Sequence, residues 1–222
     1  MNKTTLAVQA FDASADLYQE KYMNVDLYAD TIDFFCQKLV QNSLVQNSTI
    51  ELLELACGVG NITKYILDRH PNFTILGTDL SENMLQLALK NNPKATFRNM
   101  DCRDINFLYQ EGKKYDGIIF GFGLPYISKE DAFKIIHDAS KILNKKGLFY
   151  LSTMEDEYSK SDFVTSSSGE FTLYMYYHEA NYLIEELEKN NFEILKIKKQ
   201  PIFQGDIQTD KQDLILIAQK KN

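Results

Sequence analysis

The sequence predicts an α/β fold with a doubly wound, mostly parallel sheet of seven strands and helices on both faces. From about residue 49 onward, short apolar runs alternate with stretches of helical periodicity. A glycine-rich turn joins the first apolar run to the first of these helices. The last two apolar runs are separated by residues 199–212, too few for a helical crossover, so we expect the last strand to run antiparallel.

The individual elements follow from these patterns in chain order. Residues 1–45 are predicted to be mostly helical, because apolar residues recur there at helical spacing. Strands are predicted at residues 50–55, 73–78, 95–99, 115–120, 148–153, 192–198 and 213–219. Helices are predicted at residues 61–69, 82–90 and 179–190, with a further one that runs from the Ser128 capping box to about residue 143.

Two segments interrupt the alternation of strands and helices. We expect one domain over residues 1–222, in which residues 1–45 form a helical cap and residues 155–178 form an insertion. Both additions are expected beside the carboxyl edge of the sheet, where ligands bind in this architecture. The sequence therefore predicts that they face the substrate.

Composition narrows the classes of function. The net charge of −7 argues against a nucleic-acid partner, whose phosphates are bound mostly by Lys and Arg. The three cysteines and three histidines are scattered, which predicts no metal site and no disulfide framework. No apolar run reaches membrane-spanning length and the N-terminus is too polar for a secretory signal, so we expect a cytoplasmic protein, monomeric or homodimeric, with no membrane partner.

The glycine turn, Glu54-Leu-Ala-Cys-Gly-Val-Gly-Asn61, indicates the type of cofactor. A nicotinamide dinucleotide fingerprint has a third glycine where this chain has Thr63. The turn also contains no basic residue, and the carboxylate of Glu54 would repel a pyrophosphate while favouring a cationic ligand without phosphates. A nicotinamide-dependent oxidoreductase is thus the weaker interpretation.

This turn, followed by Asp79 and Asp101, resembles motif I of the class I S-adenosylmethionine-dependent methyltransferases, small-molecule type. The resemblance extends from about Phe11 to the C-terminus and includes the antiparallel last strand. It implies a Rossmann-like fold and in-line transfer of a methyl group from S-adenosylmethionine to a small-molecule acceptor. The sequence lacks the Asn/Asp-Pro-Pro-Tyr/Phe motif after the fourth strand, where Gly123-Leu-Pro-Tyr126 stands instead, and this argues against methylation of a nucleobase amino group.

The resemblance also implies roles for individual residues. Asp79 would accept from both ribose hydroxyls, since a carboxylate only accepts hydrogen bonds. The implied cofactor-binding residues are Tyr18, Tyr22, Glu54, Ala56, Cys57, Gly58, Gly60, Asp79, Leu80, Met84, Asp101, Cys102, Phe120 and Gly121. Phe11, Tyr18 and Tyr22 match an N-terminal pattern whose aromatic rings close over the sulfonium, a favourable contact of about 0.5–2 kcal/mol.

The sequence identifies the residues that would contact the acceptor less specifically than those that would bind the cofactor. Tyr126 occupies the position after the fourth strand where family members contact substrate. Tyr174, Tyr176 and His178 alternate as on one face of a strand, so they could line the acceptor pocket or form the edge of the sheet. If the acceptor must lose a proton, His178 is the first candidate for the general base.

Each residue also has a structural interpretation. The glycines could serve only tight packing, Asp79 and Asp101 could be turn residues, and Tyr18 and Tyr22 could be core residues of a helix. Cys57 is interpreted as a small residue of the motif. At the level of the chain, a methyltransferase-like protein that binds the cofactor without turnover remains open.

Overall fold

The computed structural model describes residues 3–43, 49–165, 169, 171–204 and 207–221. A seven-stranded sheet dominates it, in the order β3-β2-β1-β4-β5-β9-β8, and a separate hairpin pairs β6 with β7. The strands are β1 (Ile50–Leu55), β2 (Phe73–Asp79), β3 (Thr96–Asn99), β4 (Tyr115–Phe120), β5 (Leu143–Glu155), β6 (Asp162–Thr165), β7 (Thr172–Met175), β8 (Phe192–Gln204) and β9 (Ile207–Lys220).

The helices of the described chain lie before and between these strands. They are α1 (Lys3–Ala13), α2 (Ala15–Tyr22), α3 (Ala29–Asn42), α4 (Asn61–Arg69), α5 (Glu82–Asn91), α6 (Asn106–Gln110), α7 (Lys129–Ile142) and α8 (Ala180–Lys189). The predicted cap at Ser128 is present, because its hydroxyl accepts from Asp131 N, and the hydroxyl of Ser81 caps α5 in the same way by accepting from Met84 N. None of these helices has the length and apolar character needed to cross a membrane.

Strand directions confirm the predicted mixed sheet. β1, β2, β3, β4 and β5 pair in parallel, while β9 lies antiparallel between β5 and β8. The closing hairpin is longer than predicted, since both strands continue well beyond the apolar runs. Pro201 lies inside β8, beside a shift in its pairing with β9, which suits a proline because it donates no ladder hydrogen bond.

Helices cover both faces of the sheet, as predicted. On one face, buried residues of α7 and α8 such as Ile135 and Leu183 pack with Leu53 and Phe120 of the strands. On the other face, α3 and α4 bury residues such as Phe35 against the sheet. The apolar strands are thus buried from both sides, which fixes the carboxyl edge of the sheet as a rigid frame.

The N-terminal helices and the β6–β7 hairpin meet above that edge. The ammonium of Lys3 on α1 lies 3.2 Å from the ring centre of Tyr174 on β7. The side-chain amide of Asn61, at the start of α4, donates to the carbonyl of Tyr22 at 2.8 Å. The first contact joins the two additions to each other, and the second holds the N-terminal helices against the frame.

Candidate active site

Two residues at the carboxyl edge of the sheet adopt left-handed backbone conformations although neither is glycine. Ala56 follows β1 with φ of 50°, and Phe122 follows β4 with φ of 56°. Phe122 is held there by a hydrogen bond from its N–H to the Ser152 hydroxyl at 3.0 Å. Such strained residues cluster at functional sites. These two follow adjacent strands, and both line the same cleft.

The glycine turn is shaped to admit a ligand. Gly58 has φ of 52°, and a Cβ there would have Tyr18 and Met84, both at the cleft wall, as its nearest neighbours at 3.7 and 4.0 Å. A side chain at this position would therefore enter the cleft. Gly60 begins α4 with φ of 71°, and a Cβ there would lie 2.5 Å from Nδ2 of Asn92. Gly58 leaves space for a ligand, whereas Gly60 leaves space for packing.

Glu54 supports the turn from inside the protein. Its side chain is 2% exposed and accepts a hydrogen bond from the hydroxyl of Thr63, the residue that replaces the third glycine of a nicotinamide fingerprint. Burial raises the pKa of Glu54 to about 7, although the hydrogen bonds from Thr63 lower it. The pair joins the end of β1 to the first turn of α4.

Asp79 ends β2 with its carboxylate in the cleft. Oδ2 accepts from Gly58 N and Oδ1 accepts from Ser81 N, both at 2.9 Å. Burial raises the pKa of Asp79, while these backbone hydrogen bonds lower it. Each carboxylate oxygen has a second lone pair, so the fixed carboxylate can accept two further hydrogen bonds from a diol.

Asp101 lies at the other side of the cleft, after β3. Its carboxylate accepts from Arg103 N at 2.9 Å and from the guanidinium Nε at 2.9 and 3.1 Å. Burial raises the pKa of Asp101, but the hydrogen bonds from Arg103 outweigh it and the pKa is lowered. Arg103 therefore keeps this carboxylate ionised and oriented.

These groups surround a concave site that we call the first cavity; its empty volume of about 760 Å³ includes open solvent. Its predicted residues are Tyr18, Ala56, Gly58, Asp79, Leu80, Met84, Asp101, Cys102, Gly121 and Tyr126. No Lys or Arg is among the described residues that line it. A ligand with phosphates would therefore meet the carboxylate of Asp79 with no cation among these lining residues to bind the phosphates, because the guanidinium of Arg103 is already paired with Asp101. A cationic ligand would be favoured.

Aromatic rings form the outer wall of this cavity. Phe11 contacts Tyr126 edge-on, with ring centres 4.8 Å apart, and contacts Tyr18 at 5.8 Å. Burial raises the pKa of both tyrosines, which stay protonated at neutral pH. A protonated tyrosine hydroxyl can donate a hydrogen bond, so neither residue is expected to act as a base at neutral pH.

Several predicted site residues lie outside the first cavity. Glu54, Cys57 and Gly60 support the turn from behind, and Tyr22 is 43% exposed and lines a neighbouring cavity instead. The Phe120 side chain was expected beside the cofactor, but it is fully buried in the core and does not line the first cavity. The chain turns after β4, so that Gly121 and Phe122 reach the cavity in its place.

The expected role of His178 is wrong. Its side chain is 0% exposed, its Nε2 lies 3.0 Å from the Leu124 carbonyl and 3.3 Å from that of Ile127, and its Nδ1 lies 2.8 Å from the Tyr182 hydroxyl. Burial lowers the pKa of His178 to about 4. With both nitrogens engaged inside the protein, the ring holds the segment after β4 in place and reaches no acceptor.

Of the two alternatives for the alternating residues around β7, the structure does not place them at the acceptor cavity. Tyr174 and Tyr176 turn toward Lys3 of α1, whereas Leu173 and Met175 line the neighbouring cavity. An alternating pattern fixes which residues share a face, but it does not say which face meets the ligand.

Other cavity residues were not predicted. They are Thr4, Ala7, Val8, Met100, Phe122, Gly123 and Ile127. The residues from α1 could have been found from the helical spacing of Thr4, Ala7, Val8 and Phe11, which places them on one face. No sequence signal marks Phe122, whose position depends on its left-handed backbone.

Comparison with known proteins agrees with this geometry. Residues 52–147, which contain the glycine turn, Asp79 and Asp101, match the family model described as a methyltransferase domain. The chain is 29% identical over 166 residues to the malonyl-[acyl-carrier protein] O-methyltransferase of Bacillus anthracis, which covers 71% of this chain. It is 25% identical over 141 residues to the demethylmenaquinone methyltransferase of Thermotoga maritima, which covers 64% of this chain.

The chain spans about half the length of these curated relatives, 55% and 58% respectively. Among solved structures, the fold is similar to magnesium protoporphyrin IX methyltransferase from Synechocystis PCC 6803 with bound S-adenosylhomocysteine. The TM-score is 0.70 at 19% identity, and the match covers 99% of this chain and 100% of that one. Residues 52–147 of the chain thus match a methyltransferase domain, and the chain has the same fold as that solved structure.

Proposed function

We propose that this protein transfers a methyl group from S-adenosylmethionine to a small-molecule acceptor. The observation that carries the proposal is the first cavity, where the Asp79 carboxylate and the open turn at Gly58 meet without any cation from the described lining residues. This arrangement suits a ligand with a ribose and a positive charge and no phosphates.

The residues present fit the cofactor group by group. Asp79 would hold the ribose hydroxyls, and Leu80 and Met84 would flank the adenine, with Asp101 and Cys102 near its amino group. Gly58 and Gly121 would border the amino-acid part, because both line the cavity and a side chain at Gly58 would enter it. Tyr18 would stand beside the sulfonium, a contact that an aromatic ring favours.

The chemistry requires little from the protein beyond position. When bound, S-adenosylmethionine supplies a methyl group on a positively charged sulfur that is already electrophilic. Phe11, Tyr18 and Tyr126 would exclude water and align the acceptor, and the tyrosine hydroxyls would orient it by donating hydrogen bonds. His178 takes no part in this scheme, because its ring is engaged in the core.

The additions at residues 1–45 and 155–178 would form the acceptor side. Neither segment matches a sequence motif that identifies one acceptor. The names of two relatives include a quinone-type acceptor and an acyl-carrier acceptor, and these two support a small or carrier-bound acceptor. A cytoplasmic location and a monomeric or homodimeric state stay predictions of the sequence.

The test is calorimetric titration of the purified protein with S-adenosylmethionine, S-adenosylhomocysteine and NADH in parallel. We expect micromolar binding of the two sulfur nucleotides and none of NADH. Binding of NADH alone would revive the oxidoreductase interpretation. Transfer of a labelled methyl group to an acceptor then separates an enzyme from a protein that binds the cofactor without turnover.

A further inference from the structure

A second cavity opens beside the first and is not explained by the cofactor. It has an empty volume of about 1000 Å³ and lies between the N-terminal helices and the β6–β7 hairpin. The described residues that line it are Ala10, Phe11, Ser14, Leu17, Tyr18, Lys21, Tyr22, Tyr126, Val164, Thr165, Phe171, Leu173 and Met175.

The two cavities share one wall. Phe11, Tyr18 and Tyr126 line both of them, so these rings form the boundary between the cofactor side and the second cavity. A molecule in the second cavity would therefore meet the position of the sulfonium at this boundary.

The second cavity presents apolar surface to solvent. Leu17 on α2 is 55% exposed and Val164 on β6 is 37% exposed, while Leu173 and Met175 face them from β7. Apolar side chains on two separate elements that remain exposed around a concavity mark a binding site. The aromatic rings at the boundary suit the flat face of an unsaturated or aromatic ligand.

The described residues that line the second cavity carry positive charge only. Lys21 is the single charged side chain among the described residues that line the second cavity, and its ammonium lies 5.0 Å from the ring centre of Tyr22. No carboxylate from the described part of the chain pairs with it. In a protein of net charge −7, this unopposed cation would favour a ligand with a negative group at that end.

We infer that the second cavity binds the methyl acceptor and that this acceptor has an apolar, ring-sized body with an anionic group directed to Lys21. The inference rests on the proposed function for the identity of the first ligand. Leu173 and Met175 determine the fit of the apolar body, and Lys21 selects for the anion. The acceptor atom lies at the boundary formed by Tyr18 and Tyr126.

The test uses two fluorescent probes of the same ring system, anionic 1-anilinonaphthalene-8-sulfonate and neutral N-phenyl-1-naphthylamine. Both are titrated into the full chain with saturating S-adenosylhomocysteine, so that the first cavity is filled. Leu173→Glu should weaken both probes at least tenfold, because it places a charge in an apolar wall. Lys21→Gln should weaken the sulfonate about threefold and leave the neutral probe unchanged.

Matched controls are Ile197→Glu on β8, where the side chain is 50% exposed, and Lys90→Gln on α5. Neither residue lines the first or the second cavity. Neither control should change the affinity of either probe. Unchanged binding in Leu173→Glu, or equal effects of Lys21→Gln on both probes, would overturn the inference. Absence of S-adenosylhomocysteine binding in the unmodified protein would instead remove the proposed function, and with it the identity of the second ligand as an acceptor.

Discussion

The hydroxyl of Thr63 donates a hydrogen bond to the buried carboxyl group of Glu54 and so ties the start of α4 to the end of β1. In a nicotinamide fingerprint a third glycine would stand at Thr63 and would leave this carboxyl group without the partner. The same contact therefore stabilises the turn and separates the site from a dinucleotide-binding one.

The raised pKa of Glu54 makes folding stability depend on pH. Between the ordinary pKa of 4.5 and the folded value of about 7, the native protein keeps a proton that the unfolded chain has lost. This contribution is fully present below the lower value and is lost as pH rises through the higher one. We expect the free energy of unfolding to fall through this window, by up to about 3 kcal/mol from this group.

Glu54→Gln should remove that part of the pH dependence and be more stable than the unmodified protein at pH 8. Urea unfolding followed by circular dichroism at pH 5 and pH 8 measures the difference. Glu51→Gln, on the same strand but exposed, is the matched control and should keep the original dependence. Parallel curves for the two variants would contradict the buried-carboxyl account.

Asp79→Ala should weaken S-adenosylmethionine binding at least tenfold, because hydrogen bonds to a charged acceptor contribute roughly 1.5–3 kcal/mol. Calorimetry measures the loss, and thermal unfolding shows whether the variant is folded. Asp104→Ala replaces an exposed carboxylate nearby that lines neither cavity, and it should bind as before. Full affinity in Asp79→Ala would remove the central assignment of the site.

His178→Ala should lower stability and spare cofactor binding. The substitution leaves the carbonyls of Leu124 and Ile127 without their side-chain partner, at a cost of about 1–3 kcal/mol. The pH profile of methyl transfer should keep its shape, which a general base would not allow. His137→Ala, at an exposed position on α7, is the control, and abolished transfer in a folded, cofactor-binding His178→Ala would restore the catalytic interpretation.

The sheet was predictable because its strands are buried on both faces and end in recognisable turns. Residues 50–55, 61–69 and 115–120 have the bounds that were expected. The cofactor side follows from the same frame, since Gly58 and Asp79 are fixed by the ends of β1 and β2. Local pattern sufficed wherever the backbone follows a regular strand or helix.

The acceptor side was not predictable to the same degree. The alternation through Tyr174, Tyr176 and His178 predicted that they share one strand face, at the acceptor pocket or at the edge of the sheet. Instead, β7 ends at Met175 and the chain then carries His178 into the core. Phe120, which was expected beside the cofactor, is buried in the core, and Phe122, for which no role was predicted, lines the first cavity with a left-handed backbone. Such outcomes depend on tertiary contacts, which periodicity does not encode.

Helix α1 covers the first cavity with Thr4, Ala7, Val8 and Phe11. The carboxylate of Asp12, at the end of this helix, accepts from the Ser81 hydroxyl at 2.6 Å and from Asn83 N at 3.0 Å. Asp12→Ala removes these contacts to the start of α5, so the covering helix should open more readily. We expect the dissociation rate of S-adenosylhomocysteine to rise about tenfold, since each charge-assisted bond contributes roughly 1.5–3 kcal/mol.

Stopped-flow tyrosine fluorescence measures this rate, with Asp16→Ala on α2 as the matched control at an exposed carboxylate. The control should release the nucleotide at the original rate. If Asp12→Ala slowed association and left dissociation unchanged, α1 would be part of the entry path and not a cover held by Asp12. Faster release with unchanged thermal stability would assign Asp12 to holding the cover closed over a bound cofactor, because a general loss of folding would also lower the thermal stability.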